Sequence, residues 1–98
     1  MNIDILGTNY NVTVLLERDK CMLENNADGY TDFNKKEIKV LTCDAYNQIL
    51  RHELVHAYLF EVGMAFGYGI HNEDNVDFIA MIFPKLNKIF KEANCEGD

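Results

Sequence analysis

The segment His-Glu-Leu-Val-His at residues 52–56 constrains the fold of this chain more than any other feature. In a helix, His52 and His56 lie about one turn apart on the same face, so both imidazoles can reach one tetrahedral metal ion. Glu53 sits beside the first histidine, where its carboxylate can take a proton from water activated by the metal. The segment therefore predicts a helix that carries two metal ligands and a general base.

The ends and faces of this helix are predicted from the residues around it. Thr42 or Asp44 can cap its first turn, and Gly63 is a natural residue at its end. On a helical wheel, the face of the histidines has fewer polar residues than the other. The opposite face carries Asn47, Arg51, Leu54, Tyr58 and Glu61. We therefore expect the histidines to point inward rather than into bulk water.

A second segment, which begins at Asn72, offers a third ligand. Asn72 is a good N-cap, and acids at positions 73 and 74 are favoured by the helix dipole. Asp77 lies one turn after Glu73 and can accept a hydrogen bond from the ring nitrogen of a ligand histidine that faces away from the metal. His71 is the other nearby candidate, but it has no such companion acid. We favour Glu73 as the third ligand and keep His71 as a substrate-side or structural residue.

The N-terminal part of the chain predicts about four short strands in two β-hairpins. Residues 2–16 alternate apolar and polar side chains around turn residues at positions 7–9. Residues 30–41 do the same around a turn candidate at positions 34–36. Residues 17–29 are polar and lack a clear period, so a loop and a short helical turn both remain open.

The C-terminal part predicts further helix. Residues 63–69 form a glycine-rich, aromatic connector, after which the second helix runs towards Pro84. Proline donates no backbone hydrogen bond, so it must kink this helix or start another, and the amphipathic pattern extends to about Ala93. The predicted fold class is α+β in one domain, residues 1–98. Its two hairpins pack on the histidine-bearing helix, which is followed by a second ligand-bearing helix and a C-terminal helix.

Charge and cysteine content argue against several classes of partner. The formal net charge is −7 with no basic run, whereas binding to a phosphate backbone needs a stripe of Lys and Arg. The three widely spaced cysteines include no C-x-x-C pair, and the N-terminus does not resemble a signal peptide. No apolar run reaches the length of a membrane span. We expect a cytoplasmic protein that binds neither nucleic acid nor membrane and is a monomer or weak oligomer.

These segments and the layout of the chain resemble a known family. His-Glu-Leu-Val-His followed by Asn-Glu-x-x-x-Asp resembles the gluzincin metallopeptidases. The small size, the early hairpins and Asp-Phe-Ile-Ala-x-x-Phe-Pro at residues 77–84 resemble the minimal zincins of phages and prophages, near the ImmA/IrrE-like group. The motifs cover roughly residues 44–84. One departure is Glu73-Asp74-Asn75, where that group usually has Glu-Ala-Asn.

The resemblance implies a zincin-like domain that hydrolyses peptide bonds with Zn²⁺ as its cofactor. The residues it implies are His52, His56 and Glu73 as ligands, Glu53 as general base and Asp77 as the support of a ligand histidine. The implied partner is a peptide or protein substrate that pairs with an edge strand, for which the family's layout favours residues 37–41. The protein would act in a bacterial host cell or be encoded by a phage.

Several assignments remain open at the level of the sequence. The candidates for stabilising the oxyanion or contacting the substrate are Tyr30, Tyr58, Tyr68 and His71. A second hypothesis is a zinc-stabilised module that binds a partner protein without catalysis, because the stabilising His or Tyr of larger gluzincins has no assigned counterpart. A third is an SprT-like protease with His71 as its third ligand.

Overall fold

The computed structural model describes residues 1–63 and 72–93 of the chain. These residues form four strands and three helices, which confirms the α+β class. In chain order the elements are β1 (Asn2–Ile5), β2 (Thr8–Leu15), α1 (Lys20–Asn25), β3 (Gly29–Asp32), β4 (Glu37–Leu41), α2 (Tyr46–Glu61) and α3 (Glu73–Glu92). The predicted connector at residues 63–69 lies, apart from Gly63, outside the described residues. None of the described helices combines the length and apolar character needed to cross a membrane.

The strands form one mixed sheet in the order β1-β2-β4-β3. Both predicted hairpins are present, since β1 pairs antiparallel with β2 and β3 pairs antiparallel with β4. The hairpins join through parallel pairing of β2 with β4, which places Val12 beside Ile38. Parallel neighbours need a crossover, and the segment that contains α1 supplies part of it. Because β4 has a neighbour on each side, the prediction that residues 37–41 form an edge is wrong; the edges are β1 and β3.

The turn of the first hairpin lies earlier than predicted. It is formed by Leu6 and Gly7, whose φ angles are 52° and 89°, whereas Thr8 and Asn9 already belong to β2. Two consecutive residues with positive φ match the twist of the flanking strands in a two-residue hairpin. The second turn occupies residues 33–36, in agreement with the turn predicted at 34–36.

One face of the sheet packs against α2 and forms the core. Tyr10 and Val12 of β2 are buried on this face, together with Ile38 and Val40 of β4 and Ala57 of α2. The residues at positions 9, 11 and 13, which alternate with them on β2, point to the other face and are polar. The sheet is thus apolar on one side, as expected for strands covered by a single helix.

The buried faces of α2 differ from the helical-wheel prediction, because this helix has two neighbours. The side towards the sheet is centred on Glu53 and Ala57, which are both buried. Leu54 packs against the core, and Glu61 is hydrogen-bonded to β2, although the wheel placed both opposite the inward side. A wheel locates an apolar stripe, but it does not show which neighbouring element covers each part of a helix.

The helix ends confirm some predicted caps and correct others. Helix α2 begins after Ala45 with no side-chain cap, so Thr42 and Asp44 do not cap it. Gly63 follows its C-terminal end with φ 82°, as predicted. Helix α3 begins after Asn72, whose side-chain oxygen accepts a hydrogen bond from the Asn75 backbone N–H at 2.9 Å.

Pro84 lies inside α3 and does not end it, so the prediction of a separate C-terminal helix is wrong. A proline at this position cannot donate to the carbonyl of Ala80, four residues earlier. Arg51 of α2 donates to that carbonyl from its Nε at 3.3 Å. A side chain from the neighbouring helix therefore satisfies the acceptor that proline leaves open, and the same bond joins α2 to α3.

We expect the stabilising effects of Arg51 and Pro84 to be coupled. Arg51→Met should destabilise the wild-type protein more than the Pro84→Ala variant, because alanine supplies the missing N–H to Ala80. The expected coupling free energy is about 1 kcal/mol, measured by urea unfolding of the wild type, both single variants and the double variant. Arg51→Met also removes the hydrogen bond from Arg51 to Gln48. This loss occurs in both backgrounds, so it cancels from the coupling free energy. Equal effects of Arg51→Met in both backgrounds would contradict the coupling.

The last residue of α2, Glu61, is held to the sheet by three hydrogen bonds. Its carboxylate accepts from Thr8 Oγ1 at 2.8 Å, Tyr10 Oη at 2.6 Å and Lys36 Nζ at 3.1 Å. These donors, Tyr10 first, hold the pKa of Glu61 below its ordinary value. Burial raises the pKa of Tyr10, and the hydrogen bond to Glu61 raises it further by a smaller amount. The C-terminal end of α2 is thereby positioned over β2 and the β3–β4 turn.

Glu61→Gln should destabilise the protein at neutral pH and have less effect in acid. The folded-state pKa of Glu61 lies below the ordinary 4.5, so the stability it adds is present above that pH and is lost as the pH falls through the folded-state value. The test compares urea midpoints of both proteins at about pH 7 and about pH 3. Glu24→Gln on the exposed side of α1 is the control. A difference that does not shrink in acid would contradict this assignment.

Candidate metal centre

Helices α2 and α3 bring together His52, His56 and Glu73, and these residues form a group that could hold a metal ion. The two Nε2 atoms are 3.1 Å apart. Glu73 Oε2 lies 2.9 Å from Nε2 of His52, and its Oε1 lies 3.0 Å from Nε2 of His56. Helix α2 supplies the two histidines through their i, i+4 spacing, and the first turn of α3 supplies Glu73.

The triangle of ligand atoms fits a zinc ion. Zinc binds nitrogen and oxygen at about 2.0–2.2 Å, so tetrahedral ligands lie about 3.3 Å apart, and the observed separations need to open by only a few tenths of an ångström. The donor set of two imidazoles and one carboxylate is also one that zinc uses in catalytic sites. The residues present are therefore suitable for zinc.

The cluster is buried on one side and open on the other. The side chains of His52 and His56 are 17% and 14% exposed, whereas that of Glu73 is 76% exposed. The histidines are covered by the sheet and by α3, while Glu73 stands in the first turn of its helix. A fourth ligand or a substrate group can therefore approach from the side of Glu73.

Asp77 lies beside the histidine cluster, as its spacing from Glu73 predicts. Its Oδ1 is 3.4 Å from Nδ1 of His52, the ring nitrogen that does not face the other ligand atoms. This distance is longer than a well-formed N–H···O hydrogen bond. The acid is nevertheless on the correct side of the ring to favour the tautomer in which Nε2 is free to bind a metal. Its supporting role remains a prediction.

Glu53 is a buried carboxylate next to the ligands, with 7% of its surface exposed. Thr31 of β3 donates a hydrogen bond from Oγ1 to Glu53 Oε1 at 2.9 Å, and the same hydroxyl lies 3.2 Å from the Glu53 backbone oxygen. Burial raises the pKa of Glu53 above its ordinary value, and the bond from Thr31 opposes this shift. Thr31 was not predicted as a site residue, because nothing in a short polar strand indicates which helix residue its side chain will contact.

Gly29 allows β3 to approach α2 closely enough for this contact. A Cβ atom at this position would lie 2.7 Å from Ile49 Cγ2 and 3.4 Å from Glu53 Cγ, and the first distance is too short unless the Ile49 side chain, the helix or the strand moves. The sequence placed Gly29 at the end of the polar segment 17–29, but it is the first residue of β3. Its lack of a side chain therefore serves the packing of strand against helix.

Two adjoining depressions flank Glu53 and Glu73. The first has a volume of about 290 Å³ and is also lined by Gln48, His52 and Asp77. The second has a volume of about 390 Å³ and includes His56 and Thr31 in its wall. Both reach Gly29, so β3 borders the candidate site along its length.

Within residues 1–63 and 72–93, the outer edge of β3 has backbone groups that pair with no strand, and this edge lies beside the depressions. The N–H of Leu41 donates to the carbonyl of Asp28 at 2.8 Å, which sets the alternation of the β3–β4 ladder. Tyr30 and Asp32 therefore direct their backbone groups towards β4, and Gly29 and Thr31 direct theirs to the other side. Among the described residues no strand pairs with that side.

The other predicted site residues fall in different places. Tyr30 lines the second depression, but its hydroxyl donates to Asp19 Oδ2 at 2.7 Å; burial, and then this bond, raises its pKa. Tyr58 lies away from the cluster, in the wall of an apolar groove of about 510 Å³ that is also lined by Phe83. Tyr68 and His71 lie outside the described residues.

Comparison with known proteins provides no independent assignment of this site. The chain matches no protein-family model, no curated protein and no solved structure. The zincin resemblance therefore remains a prediction from the motifs.

We expect the purified protein to bind one zinc ion per chain through His52, His56 and Glu73. Native mass spectrometry with and without a strong chelator measures the stoichiometry. Glu73→Ala should lose zinc, and Asp77→Asn should lower the affinity about 10- to 100-fold, as loss of a histidine's supporting acid does in other sites. Asp74→Asn, in the same helical turn but outside the cluster, is the matched control. Retention of zinc in Glu73→Ala but not in His71→Ala would instead assign the third ligand to His71.

Proposed function

We propose that this protein is a zinc-dependent metallopeptidase with Glu53 as its general base. The observation that carries the proposal is the convergence of three ligand atoms from two helices. They lie beside the buried carboxylate of Glu53, the residue that follows His52 in α2. When bound, zinc lowers the pKa of its water towards about 7 and polarises the carbonyl of the substrate. The remaining steps are assigned to side chains of the protein.

Glu53 takes the proton from the attacking water and passes it to the amine that leaves. The bond from Thr31 holds Oε1 of Glu53 in place, so we assign the transferred proton to Oε2. A carboxylate that is buried and oriented in this way needs little rearrangement to act as a base. Asp77 is assigned to support His52, and the helix dipole at the start of α3 favours the negative charge of Glu73.

The substrate is proposed to bind as an extended strand along the outer edge of β3. Gly29 and Thr31 direct their backbone donors and acceptors to that edge, and the depressions beside them lead to the histidines. Pairing with an edge strand holds a peptide through its main chain and leaves side-chain pockets to determine specificity. Strand β3 thus replaces β4 as the proposed substrate strand.

A zinc-stabilised binding module without catalysis is the second candidate. One observation favours it: among the described residues, neither tyrosine candidate is ready to donate to an oxyanion. The hydroxyl of Tyr30 is already bonded to Asp19, and Tyr58 lies in another groove. This module would keep its metal for stability and would not need Glu53.

The two candidates are separated by Glu53→Gln. If the protein is a peptidase, this variant should retain zinc and cleave a peptide library derived from a bacterial proteome at least about 100-fold more slowly than wild type. Glu24→Gln is the control for a neutralised glutamate at an exposed position. Equal cleavage by Glu53→Gln and wild type would contradict the base assignment. Zinc binding with no cleavage in wild type, together with unfolding of His52→Ala, would support the binding module.

A further inference from the structure

Helix α3 is apolar on two sides, and the described residues cover only one of them. Val76 and Ala80 are buried against the body of the protein. At 100° per residue, a second row lies on roughly the opposite side of the helix. This outer stripe consists of Phe78, Ile82, Leu86 and Ile89. A helix with apolar residues on two faces is normally buried on both.

The outer stripe is exposed over about three helical turns. Phe78, Leu86 and Ile89 are 60%, 38% and 56% exposed, while Ile82 between them is half-buried. Leu23 on α1 is also exposed, but it lies outside this stripe. Contiguous exposed apolar surface on a folded protein commonly marks a surface that binds another protein.

The charges beside the stripe identify the partner that fits it. Asp74 and Lys88 lie on the same flank, one near each end of the stripe. In a parallel two-fold pair this flank of each helix lies on the opposite side of the contact, so neither Asp74 nor Lys88 meets a charge of the other copy's flank. Two antiparallel copies would bring Asp74 of each chain close to Lys88 of the other, and would also oppose the two helix dipoles.

We propose that α3 is a homodimer interface in which two outer stripes pack antiparallel about a two-fold axis at Ile82. Phe78 and Leu86 are each four positions from Ile82. Phe78 of each chain therefore packs against Leu86 of the other chain. Asp74 lies eight positions before the axis and Lys88 six positions after it, so Asp74 of each chain comes within two residues of the level of Lys88 of the other. An isologous contact of this kind requires a surface that complements itself, which this stripe provides.

The proposed interface leaves the candidate metal centre open. Glu73 and Asp77 lie on the flank of α3 that faces the histidines, well over a quarter-turn from the outer stripe. Dimerisation is therefore independent of the proposed peptidase activity, and each can fail without the other.

The first test measures association by sedimentation equilibrium across the micromolar range. Wild type is expected to form dimers, and Leu86→Glu is expected to remain monomeric with unchanged helix content by circular dichroism. Leu23→Glu, a matched change at an exposed leucine of α1, should dimerise as wild type does. A monomeric wild type over the whole range, or a Leu86→Glu variant that associates like wild type, would overturn the proposal.

The second test determines the direction of pairing by charge reversal. Asp74→Lys and Lys88→Glu should each weaken association about three- to tenfold, because each change places two like-charge pairs in the symmetric contact. The double variant Asp74→Lys/Lys88→Glu should restore the wild-type affinity, since the pairs are then exchanged. A double variant no stronger than the single variants would overturn the antiparallel arrangement.

Discussion

The packing of α2 against two neighbours is the constraint on which the rest of the structure depends. One side of this helix covers the apolar face of the sheet, and another side meets α3. Gly29 sets the close approach to β3, and the bond from Arg51 to the Ala80 carbonyl joins α2 to α3. His52 and His56 lie where these two contacts meet, so the position of every group in the candidate site follows from them.

Burial of Glu53 gives the site its chemical character. Removing a carboxylate from water is unfavourable for the charged form, and the hydrogen bond from Thr31 offsets part of that effect. The same strand that holds the carboxylate also has an outer edge that no described strand pairs with. A single short element, β3, therefore orients the proposed base and offers a binding edge for an extended peptide. The mixed topology of the sheet is what places β3, rather than β4, at that edge.

Pro84 and the outer stripe show how α3 serves more than one purpose. The N-terminal turns of the helix supply Glu73 and Asp77 to the candidate metal centre. The proline in its middle removes a hydrogen bond within the helix and leaves the Ala80 carbonyl for Arg51. Beyond that point the helix continues with apolar residues that the described part of the chain leaves exposed. The proposed dimer would cover this surface without closing the site.

The sequence by itself determined the features that depend on neighbours along the chain: the spacing of His52 and His56, the cap at Asn72, the stop at Gly63 and the two hairpins. These follow from helix and turn geometry within a few residues. The tertiary structure decided which strand is an edge, which side of α2 meets the sheet, how α3 continues past Pro84, and that Thr31 and Gly29 contact Glu53. Each of these depends on groups distant in sequence, whose contacts are selected by the packing of whole elements and are not encoded in any local pattern.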